Sequence, residues 1–309
     1  MANSASGTVP KRLRRDSSIG DRIFDIANII FLCLLMVVTL YPFLNQLALS
    51  LNQAMDSIKG GIYVWPRHFS LENYKYVFKD NQVYQATMIS VLRLVVGTVF
   101  SVFSTAIVAY TISRPDFVLR KFVTIAFVLT AYINPGIIPE FLNIRDLHLI
   151  NSFWVYVWPG LIGVFTLILV RSFIDELPES IMESARIDGA GEFKTLMSIV
   201  LPLCLPVLAT IALFTAVFQW NSWIDVFLYN SSNEKLSTLQ YELQKILQNS
   251  SAASSATSAF SNSQAAASMV TPLSIRATMT IVASVPMIMM YPFLQKYFVK
   301  GMTVGGVKG

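Results

Sequence analysis

The sequence predicts an all-α fold: a polytopic membrane protein with six transmembrane helices and one long helical loop on the cytoplasmic side. Three observations predict it. Hydrophobic residues make up 54% of the 309-residue chain, charged residues only 13%, and the mean hydropathy is +0.56. Soluble domains carry about 25% charged residues, so water is the wrong solvent for most of this surface. Six stretches free of Asp, Glu, Lys and Arg are each near or above the roughly 20 residues needed to cross about 30 Å of hydrocarbon. The Lys and Arg residues are unevenly distributed between the loops that alternate with those stretches.

In chain order, a basic tail (1–21) precedes one membrane domain over 22–300, and a short tail (301–309) follows it. The expected spans are approximately 26–50, 87–113, 122–142, 149–171, 200–222 and 276–296. The first charge-free run, Ile26 to Met55, is about twice the length of a signal-peptide core, so it reads as a retained span. With the N-terminus inside, 14 of the 23 Lys and Arg residues fall on the cytoplasmic side and 8 outside. An even number of crossings then makes both termini cytoplasmic. Arg93 begins a full 20-residue apolar stretch and is expected at the outer interface. Between spans five and six, Leu239, Leu243, Ile246 and Leu247 have helical spacing and predict a short outer helix. The adjoining 249–268, with 15 of 20 residues Ser or Ala, reads as a flexible insert.

The loop between spans four and five, 172–199, carries the most information. Pro178 suits a first helical position and Glu179 the positive end of the helix dipole, while Gly189 and Gly191 can end the helix. A second helix follows, with Phe193, Leu196, Met197 and Val200 at the spacing of an amphipathic stripe. Pro202 and Pro206 then enter the membrane. Two helices joined by a sharp turn make an elbow suited to docking.

The residues Glu183-Ser184-Ala185, Gly189 after three more, and Ile199-x-Leu201-Pro202 after nine more resemble the EAA signature loop of ABC-importer permeases. Ser184 stands where Ala is usual, a small-for-small change. Trp65 to Tyr74, Trp220-Asn221, Tyr291-Pro292-Phe293 and Gln295 to Gly301 are similar to permeases of the maltose-transporter type, most of all the oligosaccharide and polysaccharide-fragment branch. The resemblance implies a type I ABC-importer permease fold, with the elbow as coupling helix and Glu183, Ser184, Ala185, Asp188, Gly189, Ile199, Leu201 and Pro202 as its contact and turn residues. It implies a bacterial cytoplasmic (inner) membrane location and import of a sugar or oligosaccharide. The implied partners are a second homologous permease subunit, two ATPase subunits and an extracytoplasmic substrate-binding protein. ATP and Mg would be bound by the ATPase, so this chain needs no cofactor of its own.

Nothing in the residues argues for catalysis by the chain. A phosphate-cradling GxxxxGK[ST] loop is absent, the two histidines, His68 and His148, lack ligand-like neighbours, and the two cysteines, Cys33 and Cys204, lie in apolar runs. No metal site is expected. Candidates for the substrate path are polar or aromatic groups at membrane depth: Asn134, Glu140, Asn143, Gln219, Trp220, Asn221 and Trp223. The same residue types also serve as interfacial anchors or repair backbone freed by proline. An ion-coupled secondary transporter or a non-transporting scaffold is the alternative. Spans nearly free of carboxylates and the absence of a clear two-fold repeat speak against the carrier.

Overall fold

Three of the six apolar runs do not form continuous helices, and that feature shapes the membrane domain. The computed structural model describes residues 19–133, 135–255 and 270–305. All named elements among them are helical, and their extended backbone pairs only in an isolated bridge between Asn52 and Phe69. In chain order these are α1 (Ile19–Ser50), α2 (Ala54–Ser57), α3 (Glu72–Lys79), α4 (Asn81–Ser113), α5 (Arg120–Tyr132), α6 (Ile137–Asp146), α7 (Val164–Asp175) and α8 (Glu179–Ile187). Then come α9 (Glu192–Thr195), α10 (Leu201–Leu203), α11 (Leu205–Asn221), α12 (Ile224–Tyr229), α13 (Leu239–Ser255) and α14 (Pro272–Gly305).

Among the described residues, three helices are long and apolar enough to cross a membrane: α1, α4 and the Pro272–Met290 part of α14. A bent pair, Glu192–Leu203 with Leu205–Asn221, meeting at 82°, has the length and composition for a fourth when taken as one unit. Pro202 and Pro206 flank that bend, and each removes a backbone donor from the helical ladder. The expected span 122–142 breaks between α5 and α6, where Pro135 precedes Gly136 at φ +82°. The expected span 149–171 begins as a 3₁₀ turn, Phe153–Tyr156, and stays non-helical over 157–163 before α7 starts. Pro159, Gly160 and Gly163 account for this break. With 13 and 12 residues, α5 and α7 reach only about 20 and about 18 Å.

The core forms around α4, which packs against α7 and α11. Small residues on α4, including Gly97, Ser101, Thr105 and Ala109, let the neighbouring backbones approach closely, as is usual where lipid offers no hydrophobic driving force. Gly97 is needed for a specific contact. A Cβ there would lie 2.5 Å from Nε2 of Gln219 on α11. Toward the elbow the core continues through Ala109, Ile112, Val170, Ile174, Met182, Leu196, Val200 and Ile211. By contrast, α1 is exposed along nearly its whole length, including Cys33, and buries only Ala48 and Ser50 at its end. An all-round apolar helix outside the core matches a lipid-facing position.

The outer helix expected near 239–247 is present as α13 and continues to Ser255, so 249–255 is helical, whereas 256–268 of the expected insert lies outside the described residues. The basic tail is described only from Ile19, and the C-terminal tail is helical to Gly305.

Candidate functional site

The elbow is built from α8 and the turn after it. Pro178 caps α8 rather than occupying its first turn, and its carbonyl accepts from the Ile181 N–H at 3.1 Å. At the other end, the Ala190 N–H donates to the Ala185 carbonyl (2.9 Å) and the Gly189 N–H to that of Arg186 (3.0 Å). This pair of bonds is a Schellman cap, and it requires the left-handed conformation that Gly189 adopts at φ +75°. Met182 and Ala185 are buried in the core, whereas Glu179, Glu183, Ser184, Ile187 and Asp188 are exposed. One face of α8 therefore grips the membrane domain and the other is free.

The second helix departs from its expected stripe. Leu196 and Val200 are buried and Met197 is partly buried, but Phe193 is 70% exposed. A π-helical turn over Leu196–Val200 puts an extra residue into the winding and shifts the inward face, so Thr195 is buried instead. Phe193 and Ile187 (85% exposed) are left as outward apolar groups beside the acidic face of α8. Of the remaining signature residues, Ile199 and Leu201 are half-buried and Pro202 is exposed.

A polar network ties the elbow to the α4–α5 turn. Arg186 Nη2 donates to Asp116 Oδ2 at 2.8 Å and lies 3.4 Å from Glu192 Oε1, while the Tyr110 hydroxyl donates to Glu192 Oε2 at 2.6 Å. The Arg114 guanidinium sits over the Tyr110 ring, 4.6 Å from its centroid. Asp116, and then Glu192, push the Arg186 pKa further up. Sequence spacing could not show this link, because its partners come from three separate segments.

Arg93, expected at the outer interface, is enclosed by protein rather than set on a solvated surface. It is 1% exposed, among the most completely buried large side chains of the described residues. Its guanidinium grips the Asp225 carboxylate through Nη1 (3.1 Å to Oδ1) and Nη2, and donates to Gln219 Oε1 (2.8 Å) and the Ser222 carbonyl (3.2 Å). The Tyr156 ring closes the other side at 4.6 Å. A buried arginine needs such partners. Asp225, one residue past the fifth apolar run, was missed; the available signal was an unmatched arginine at the head of an apolar helix.

The substrate-path candidates do not gather into one cluster. Asn134 lies outside the described residues. Glu140 and Asn143 are exposed on α6. Gln219 and Trp220 are buried, with their polar atoms engaged inside the fold: Gln219 with Arg93 and the Tyr156 carbonyl (3.1 Å), Trp220 with the Ala283 carbonyl (2.9 Å). Asn221 is exposed and bonds its own helix at the Val217 carbonyl, and Trp223 is half-buried beside Phe227.

The loop after α1 is a third ordered feature. Asn52 Nδ2 donates to Asp56 Oδ2 (3.2 Å) and Ser57 Oγ (3.0 Å), Asn52 Oδ1 accepts from the His68 N–H (2.8 Å), and Arg67 Nε lies 3.1 Å from Asp56. The Asn52 hydrogen bond, with support from Arg67, holds the Asp56 carboxyl below the usual aspartate value. Trp65 projects from this knot and is 82% exposed.

Comparison with known proteins agrees with this architecture. Residues 88–304 match the family described as binding-protein-dependent transport system inner membrane component. The chain is 33% identical over 289 residues to the polygalacturonan/rhamnogalacturonan transport system permease protein YtcP of Bacillus subtilis, covering 94% of this chain and 99% of that protein. It is 26% identical to the arabinooligosaccharides transport system permease protein AraQ of the same species, covering 93% and 97%. Among solved structures, a bacterial ABC transporter involved in import of the acidic polysaccharide alginate contains a chain that superposes with a TM-score of 0.82. That match has 26% identity and covers 91% of this chain and 98% of the other. The chain is a membrane protein, and it belongs to the family of inner membrane components of binding-protein-dependent transport systems.

Proposed function

We propose that this chain is the permease subunit of an ABC importer that carries a sugar or oligosaccharide into the cytoplasm. The observation that carries the reading is the one-sided elbow. α8 buries Met182 and Ala185, presents Glu183 and Ser184 outward, and ends in the Gly189 cap before the chain turns into the bent span. A short stiff helix fixed on one face and free on the other can transmit a partner's movement to the spans. The partner is a separate ATPase, which binds ATP and Mg and grips loop 178–202, with Glu183 facing a basic group on it.

The relatives named for polygalacturonan, arabino-oligosaccharides and alginate support a saccharide cargo. A second permease subunit completes the path, two ATPases drive it, and an extracytoplasmic binding protein delivers the saccharide. In this reading the six apolar runs cross the membrane six times, the broken runs included, and both termini are cytoplasmic. The Arg93–Asp225 pair suits a fixed joint better than the titrating relay of an ion-coupled carrier, because Gln219 and Ser222 hold the arginine as well.

The test is co-purification with the cognate ATPase in nanodiscs. Wild type is expected to retain the ATPase, and Glu183→Lys or Gly189→Asp to lose it or to lose saccharide-stimulated ATP turnover. Failure of wild type to retain any ATPase, or wild-type behaviour of both variants, overturns the reading.

A further inference from the structure

We propose that Glu192 is a positioning residue that braces the elbow: by bridging Tyr110 and Arg186 across the glycine turn, it fixes the angle at which α8 meets the bent span. The inference rests on the import reading above and deepens it, since Glu192 lies between the signature positions Gly189 and Ile199 and is not one of them.

The need for a brace follows from the backbone. α8 joins α9 through Gly189-Ala190-Gly191, and no other atom lies within 4 Å of the place a Cβ would take on either glycine. Packing therefore does not stiffen a turn whose glycines are conformationally permissive. On α8, full burial is confined to Met182 and Ala185, one turn apart on the same face. Two contacts in a line leave the helix free to roll about that line. A lever held in this way transmits force only if something off the line holds it as well.

Glu192 supplies that hold from the first residue of α9. Its Oε2 accepts from the hydroxyl of Tyr110, near the end of α4, at 2.6 Å, and its Oε1 lies 3.4 Å from Arg186 Nη2 on α8. One carboxylate thus connects both sides of the glycine turn to a long helix of the core.

The two contacts differ in weight. Arg186, Asp116 and Glu192 are exposed, and exposed ion pairs contribute little by themselves. Tyr110 is 5% exposed and belongs to the core that contains Val170, Leu196 and Val200. A short bond from a buried hydroxyl to a carboxylate is a strong one, and its loss leaves a buried donor unpaired. The Tyr110–Glu192 bond is therefore the main member of the brace, and Arg186 carries it over to α8. Burial of Tyr110 also separates a brace from a docking contact, because a side chain enclosed in the core cannot touch the ATPase.

The experiment uses the complete importer with its ATPases and binding protein in nanodiscs, with oligogalacturonide and arabino-oligosaccharide as probes. Tyr110→Phe and Glu192→Ala are each expected to lower saccharide-stimulated ATP turnover about tenfold while the ATPase is still retained on co-purification. Tyr110→Phe/Glu192→Ala is expected to be no worse than the worse single variant, as for two partners of one bond. Glu192→Gln, which keeps an acceptor for Tyr110, is expected to retain most of the stimulation. Amide exchange over residues 189–195, corrected for intrinsic rates, is expected to quicken in Tyr110→Phe. Wild-type stimulation in Tyr110→Phe overturns the brace and leaves the import reading intact. So does additive loss in the double variant, or loss of the ATPase itself in Glu192→Ala, which makes Glu192 a docking contact. A wild-type complex stimulated by neither probe counts against the import reading and the brace together.

Discussion

Arg93 and Asp225, 132 positions apart in sequence, meet as a two-pronged ion pair whose guanidinium is 1% exposed and capped by the Tyr156 ring. The pair joins α4 to the first turn of α12. Removing one partner leaves a buried charge without compensation. Asp225→Ala is therefore expected to lower stability by about 3 kcal/mol, seen as a drop in thermal-unfolding midpoint in detergent. The double variant Arg93→Met/Asp225→Leu, which buries no charge, is expected to recover most of that loss. A single Asp225→Ala variant as stable as wild type would show that the pair is not a structural joint.

Gly97 supports the same joint by leaving room for Gln219. A methyl group there would press on Gln219 Nε2 at 2.5 Å and Cδ at 2.7 Å, and Gln219 also holds Arg93. Gly97→Ala is expected to cost about 1 to 3 kcal/mol through overpacking. Shortening the opposing side chain in Gly97→Ala/Gln219→Ala is expected to relieve the clash while losing the Arg93 hydrogen bond, so recovery is partial. Thermal unfolding of the three variants separates the two effects.

Gly189 adopts φ +75° with open space around its Cα, so a substitution there is opposed by backbone conformation and not by crowding. Gly189→Val is expected to cost about 1 to 2 kcal/mol locally and to unwind the Schellman cap. Saccharide-stimulated ATP turnover in the assembled complex is expected to fall while basal turnover of the ATPase persists. Gly189→Asn, which tolerates the left-handed region better, is expected to retain more stimulation.

The knot around Asp56 has a defined pH response. Its carboxyl titrates below the ordinary value of 3.8 because Asn52 and Arg67 favour the charged form. The contribution of this group to stability is therefore fully present above pH 3.8 and is lost as pH falls through the lowered value. Hydrogen exchange over residues 52–70, corrected for intrinsic rates, is expected to stay slow through mild acid and to quicken only below that point. In Asn52→Ala, the onset is expected at higher pH.

The elbow was the most legible part of the molecule. Prolines, an acidic first turn and glycines at fixed intervals act through bonds within a few residues, so α8 and its Gly189 cap could be read directly from their order. Phe193 was misplaced because the π-helical turn at Leu196–Val200 changes the winding, and that turn depends on how the chain packs against α4 and α7. The burial of Arg93 was not legible for a related reason, since its environment is supplied by Asp225, Gln219 and Tyr156 from distant segments.

By itself, the sequence determined the solvent, the helical class, the apolar runs and the elbow, since hydropathy and capping are local properties that survive without knowledge of neighbours. Tertiary structure decided which runs stay continuous, because Pro and Gly weaken a helix without fixing where it breaks: Pro159 and Gly160 fall in a non-helical stretch, whereas Pro42, Pro286 and Pro292 lie inside continuous helices. It also decided which polar residues are structural: Arg93 became a joint once folding brought Asp225 across 132 residues of chain to meet it.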